Sequence, residues 1–123
     1  MRCGVLVLVG ITCLFSALAF AHHSQVAVYD LGRTVTLEGD LAQILIRNPH
    51  SLVQVMAKDD KDEMQRWAVE WAAGAQLGRA GVDVKTLKAG DHVIITGRPG
   101  RDVPDHRLLM VTITRPADGF TST

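Results

Sequence analysis

The side chains with the most chemical reach in this 123-residue chain are five histidines, His22, His23, His50, His92 and His106, and two tryptophans, Trp67 and Trp71. His22 and His23 stand directly after Ala19-Phe20-Ala21, a small-x-small signal that closes an apolar run from Val5 to about Phe20 behind Arg2. That arrangement predicts a secretory leader cleaved after Ala21. A chain processed there begins with histidine, whose free amine and imidazole chelate a single cation, while His23 adds a second imidazole. Such nitrogen donors favour Cu(II) over the other divalent first-row ions. Binding has to displace the proton that the amine carries near neutral pH. His50 is the natural third donor, because Asn48-Pro49 ahead of it marks a chain reversal at the end of a strand. The plainer roles are a polar junction beside a cleavage site for the pair and a hydrogen-bonded turn residue for His50. His92 and His106 read as residues at strand edges.

The second chemical grouping is Trp67, Glu70 and Trp71, a candidate ligand face on which an indole stacks on a sugar or a base. Core packing competes for at least one of the two indoles, since the chain has few other aromatics. Glu70 is placed either to meet a ligand or to support a histidine. The run Lys58-Asp59-Asp60-Lys61-Asp62-Glu63 lacks the ligand spacing and central glycine of a calcium loop and reads as a solvated hairpin tip. No Ser-His-Asp elbow, phosphate-cradling glycine loop or dinucleotide fingerprint is present.

These residues need a scaffold, and the run from Thr34 to His50 supplies its organising element. Val35, Leu37 and Leu41 place apolar side chains on odd positions, but Ile44 and Ile46 place them on even ones. A phase switch inside one strand requires a bulge between Gly39 and Gln43, with Gly39 the residue suited to supply it. A long first strand that bends in this way is how a small five-stranded barrel closes. Ser51–Ala57 and Gln65–Trp71 read as the second and third strands, with Trp67, Val69 and Trp71 on one face. Residues 72–80 form the one short helix, with Gly81 as its left-handed cap. His92–Thr96, stopped by Gly97, and Arg107–Thr114 are the fourth and fifth strands, separated by a loop that opens on a Gly97–Gly100 turn. Three strands, a helix and two strands is the order of an OB-type barrel whose helix plugs one end. The expected organisation is thus a leader over residues 1–21, an arm over 22–33, a mainly β, OB-like barrel over 34–115 and a disordered tail over 116–123.

Both cysteines, Cys3 and Cys13, fall in the leader, so the processed chain has no disulfide, thiolate metal site or cysteine nucleophile. Its near-neutral charge gives no electrostatic case for nucleic acid or for an anionic membrane surface, and cleavage leaves no membrane anchor.

Several motifs in order give a further pointer: His22-His23-Ser24, Val35-Thr36-Leu37-x-Gly39, Asn48-Pro49-His50, Trp67-Ala68-Val69-Glu70, Leu77-x-Arg79-x-Gly81 and Leu87-Lys88-x-Gly90-Asp91-x-Val93. Together they resemble a family of small exported proteins of Gram-negative bacteria grouped as a domain of unknown function. The resemblance implies export and a small barrel, and no activity. The sequence departs from that pattern at Ser51-Leu52, where members often carry an aromatic, and at Ala72-Ala73-Gly74. The leading functional expectation is a non-catalytic periplasmic module that binds a protein partner or a small ligand. The alternative is a periplasmic copper-binding protein using His22, His23 and His50. Third comes a copper oxygenase-like enzyme on the same terminal chelate, since a chain this short leaves little room for both a core and a shaped substrate surface.

Overall fold

The computed structural model describes residues 25–123; the expected leader and cleavage site, with His22 and His23, lie outside them. Six strands follow the helical residues 25–28: β1 (Val35–Leu45), β2 (Ser51–Lys58), β3 (Met64–Trp71), β4 (His92–Pro99), β5 (Arg107–Arg115) and β6 (Phe120–Ser122). One short helix, α1 (Gly74–Arg79), lies between β3 and β4. β1 pairs with β2 along one edge and β4 along the other, β2 with β3, and β4 with β5, all antiparallel. A parallel pairing of Ala68–Glu70 with Arg107–Leu109 closes the circle. The result is the five-stranded, OB-like barrel expected, with the helix between its third and fourth strands. Among the described residues no helix is long and apolar enough to cross a membrane.

β1 bends where its pattern slips. The register against β2 shifts between Leu41 and Gln43, which carries the apolar face from Leu37 and Leu41 to the half-buried Ile44 and Ile46. Gly39 lies just upstream of the shift and serves a different end, since a side chain there would run into the backbone of Met56 on β2. The barrel is filled by Leu37, Leu41, Val53, Val55, Val69, Val93, Ile95, Leu108 and Ile113, all buried. β1 to β4 each supply them from one face, as period-two alternation requires; on β5, Leu108 and Ile113 lie on either side of the register shift opposite Thr96/Gly97.

α1 closes one end. Its Leu77 is buried together with Val82, Leu87 and Trp71. The Val82 N–H reaches back to the Leu77 carbonyl at 2.9 Å, and Gly81 sits at φ +81°, the left-handed link this type of helix end needs. The helix start has no side-chain cap of its own. Instead, the Ala75 N–H donates to Asn48 Oδ1 at 3.2 Å and the Gly74 N–H to the Arg47 carbonyl at 2.9 Å. The Asn48-Pro49-His50 segment is therefore also the anchor of the plug.

Two expectations are corrected. Gly97 does not stop β4: the strand runs on to Pro99 through a register shift at Thr96/Gly97, and no turn forms over Gly97–Gly100. A side chain at Gly97 would collide with Leu108 and with the Leu109 carbonyl, so this glycine allows two strands to approach closely. Residues 116–123 are not a disordered tail, because β6 pairs with Ile113–Arg115 of β5. The guanidinium of Arg115 fixes that turn, donating to Asp118 (2.7 and 3.0 Å) and to Asp91 and the Thr86 carbonyl (2.7 and 2.9 Å).

Candidate functional site

The β2–β3 pairing sets Leu52 opposite Glu70, and the loop before β2 carries His50. Register thus brings together two residues twenty positions apart in sequence: His50 Nδ1 stands 3.5 Å from Glu70 Oε1. The other carboxylate oxygen accepts a 2.7 Å hydrogen bond from the Tyr29 hydroxyl. Tyr29 is 2% exposed, and Arg107 at the start of β5 covers its ring at 5.9 Å. Burial, reinforced by the hydrogen bond and the charge of Glu70, pushes the Tyr29 phenol well above its ordinary range, so it stays a donor. Tyr29, Arg47, His50, Leu52, Glu70 and Arg107 surround a cleft of about 230 Å³ on the outer face of β2 and β3.

The arm that delivers Tyr29 is docked. Tyr29 bridges to Gly100, the Asp30 N–H donates to the Pro99 carbonyl (2.9 Å), and Arg101 reaches the Val26 carbonyl through Nε (2.8 Å). Arg47 extends across the loop, its Nε donating to the His50 carbonyl at 3.2 Å. Ser51 is buried, and its hydroxyl both accepts from the Arg47 N–H and donates to the Arg47 carbonyl. That hydroxyl is consumed in holding the loop and is not available as a nucleophile.

The three residues of the candidate ligand face do not share one. Glu70 lies in the outer cleft. Trp71 is 3% exposed in the core beneath α1, and its indole N–H meets no acceptor among the described residues. Trp67 is half-buried at the other end of the barrel, its N–H donating to the Ala57 carbonyl at 3.2 Å. The ring of His106 meets it edge-on at a centroid distance of 5.1 Å. His92, exposed at the start of β4, bonds Asp40 through Nδ1 (2.7 Å) and Glu38 through Nε2 (3.0 Å). Those two partners, Glu38 first, raise its pKa. With carboxylates on both ring nitrogens it is positioned as a cation and not as a metal ligand. Among the described residues no three His, Cys, Asp or Glu side chains converge on a common point.

Tyr29, Arg47 and Arg107 are the cleft residues that sequence patterning passes over. The signal for Tyr29 is that it is the chain's single tyrosine and the one aromatic of the arm. No comparable signal exists for the two arginines, whose convergence depends on barrel closure.

A family model described as a family of unknown function, DUF6152, matches residues 10–108. That span contains every residue lining the cleft. No curated protein and no solved structure matches the chain.

Proposed function

The chain belongs to the DUF6152 family of unknown function, and from that premise we propose that it is an exported, non-catalytic binding module that takes the anionic end of a small ligand in the cleft beside His50. One observation carries this reading. Glu70 is already met by Tyr29 and His50, whereas neither Arg47 nor Arg107 has an ion-pair partner among the described residues. Two guanidiniums and an imidazole therefore face one cavity with the acid accounted for. Arginine suits carboxylate and phosphate groups because its planar fork donates two parallel hydrogen bonds. At about 230 Å³ the cleft falls below the ~300 Å³ of ordinary ligand pockets, so it fits a head group better than a whole ligand. No nucleophile stands next to a base here, which favours binding over catalysis.

The test is a titration with succinate and with inorganic phosphate, followed by backbone amide NMR. Saturable shifts at Arg47–Leu52 and Ala68–Glu70 are expected. Arg47→Ala or Arg107→Ala should each weaken binding about tenfold or more, the scale of one lost charge-assisted hydrogen bond. Shifts that never saturate, or that cluster elsewhere, overturn the reading. Cleavage after Ala21 is tested separately by the intact mass of the protein recovered from the bacterial periplasm: a chain beginning at His22 is expected, and one retaining Met1–Ala21 removes both the cleavage and the terminal chelate, while absence of the protein from the periplasm removes export.

Copper is the second reading, and the His50–Glu70 contact favours it. Metal-bound histidines commonly direct the other ring nitrogen at a carboxylate, and His50 Nε2 makes no hydrogen bond among the described residues. The nearby guanidiniums weigh against a cation, so this reading depends on His22 and His23. Calorimetry with Cu(II) should then show loss of affinity on His50→Ala and on adding an alanine ahead of His22. A peptide spanning His22–Asp30 that binds as tightly as the whole processed protein reduces the site to adventitious terminal chelation.

A further inference from the structure

The barrel has two ends, and α1 covers one of them. At the other, between the start of β1, the β2–β3 hairpin and the β4–β5 loop, lies a cleft of about 410 Å³. This is within the ~300–1,000 Å³ range of small-molecule sites. Leu37 and Trp67 line it, with Val103 on the rim. Val103 is 67% exposed although it sits on a formed 3-10 turn, Val103–Asp105. Protein interiors are close-packed, so an unfilled barrel end that leaves an indole and a valine against water is an apolar surface suited to a ligand.

Two of its polar groups, His106 and Asp59, stand close together. His106 follows the 3-10 turn at φ +46°, a left-handed conformation uncommon for histidine, and this presents its ring to the Trp67 edge. Its Nε2 stands 3.8 Å from Asp59 Oδ2, beyond hydrogen-bond distance. Asp59 cannot swing to close that gap: Oδ1 accepts the Lys61 and Glu63 N–H groups, both at 2.9 Å, and Oδ2 accepts from Gln65. A hydroxyl oxygen set beside this pair, about 2.8 Å from each, accepts from His106 Nε2–H and donates to Asp59 Oδ2. The charged groups around the mouth, Arg33, Lys58 and Arg107 against Asp59, Asp60 and Asp102, balance in sign, which suits an uncharged ligand.

We propose that this open end of the barrel is a second binding site, for a small neutral molecule made of an apolar ring and one hydroxyl group, the ring against Trp67, Leu37 and Val103 and the hydroxyl bridging His106 and Asp59. It is independent of the cleft at His50, although Arg107 borders both.

The probes are phenol, cyclohexanol and toluene, titrated into the whole processed protein and followed through the two indole N–H signals by NMR. Phenol and cyclohexanol should move the Trp67 signal saturably and leave Trp71 in place, with toluene about tenfold weaker for want of the hydrogen bond. His106→Phe keeps an aromatic ring beside Trp67 and removes the donor, so it should bring phenol down to the affinity of toluene while toluene itself is unaffected. Val103→Glu, on an exposed rim position that the fold does not need, should weaken all three. Toluene binding as tightly as phenol, phenol unaffected by His106→Phe, or shifts centred on His50 and Glu70 would each overturn the proposal. Failure here leaves the anion site untouched, because succinate and phosphate report on different residues.

Discussion

The two ends of the barrel are built from the same strand and finished differently. β3 places Trp67, Val69 and Trp71 on one face, and along that face exposure falls from a half-buried Trp67 to a Val69 with no exposed surface and a Trp71 at 3%. Alternation therefore decides only which way an indole points. Whether it is sealed depends on what crosses the barrel end beyond it. Over Trp71 lie Leu77 of α1 and the buried Val82 and Leu87 that follow it. Over Trp67 lie a charged hairpin tip and a short turn that leaves Val103 outside. One end is sealed by α1, and at the other Trp67 and Val103 keep part of their surface exposed among the described residues.

The largest test of that contrast compares the two indoles. Trp71→Ala should lower unfolding stability by about 3–5 kcal/mol, the usual scale for a buried aromatic. Trp67→Ala should cost about 1–2 kcal/mol, because less of its area leaves water on folding. Urea unfolding of both variants gives the comparison, and equal losses would erase the distinction between the ends. Trp71→Phe sharpens it. That change removes an indole N–H that has no acceptor, so part of the lost packing is offset and the variant should stay folded.

A smaller effect is expected at the cap of the plug. Gly81→Ala forces a Cβ into a left-handed residue, at about 1–2 kcal/mol. Space is not the obstacle, since nothing lies within 4 Å of the position a Cβ would take. The loss should appear in hydrogen exchange as faster opening of residues 74–82, while the amides of β2 and the hairpin Asp59–Glu63 keep their protection. If the hairpin loosens as well, the two ends are one cooperative unit and the open end owes its order to the plug.

Much of this architecture was legible because local patterns agreed with it. The slip from Leu37 and Leu41 to Ile44 and Ile46 requires a bulge wherever the strand sits, and Gly81 after a short helical run suits a left-handed cap in most settings. The misreadings have a common cause, which is tertiary contact. Gly97 looks like a strand stop, but its missing side chain serves the close approach of β5, the strand paired with β4. The eight residues after Arg115, with Phe120 the one large apolar side chain among them, carry no strand period. They are ordered by a guanidinium that reaches Thr86 and Asp91, 29 and 24 positions back. The site divided in the same way. Asn48-Pro49-His50 and Glu70 were visible as residue types, and Glu70 was readable as support for a histidine. Tyr29, Arg47 and Arg107 were not, because their convergence needs the β3–β5 pairing and the docked arm. Trp67, Glu70 and Trp71 looked like one surface only while the closure of each end was unknown.

The finest test concerns polar contacts outside the plugged end, where His92 sits between Glu38 and Asp40. Its folded pKa is raised, so protonation favours the folded chain. The contribution is therefore complete below the unfolded value of 6.5 and disappears as pH rises through the higher folded value. Wild type and His92→Gln should diverge in melting temperature below that window, with wild type the more stable, and converge above it. The side chain is about half exposed, so the difference should be small and should shrink as salt is added. Asp59 at the open end works in the opposite sense. The Glu63 N–H, with further help from Gln65 and Lys61, holds its carboxylate below the ordinary value of 3.8 against the opposing effect of burial. Its stabilisation is present above 3.8 and is lost as pH falls through the lower folded value. Acid should therefore loosen the hairpin at the open end, whereas the His92 contact weakens as pH rises. Amide exchange recorded at pH 3, pH 6 and pH 8 separates the two: protection at Asp59–Glu63 should fall between pH 6 and pH 3, and that of Glu38–Asp40 and His92–Ile95 between pH 6 and pH 8. If both regions lose protection together between pH 6 and pH 8, the hairpin and the β1–β4 edge are not independently stabilised.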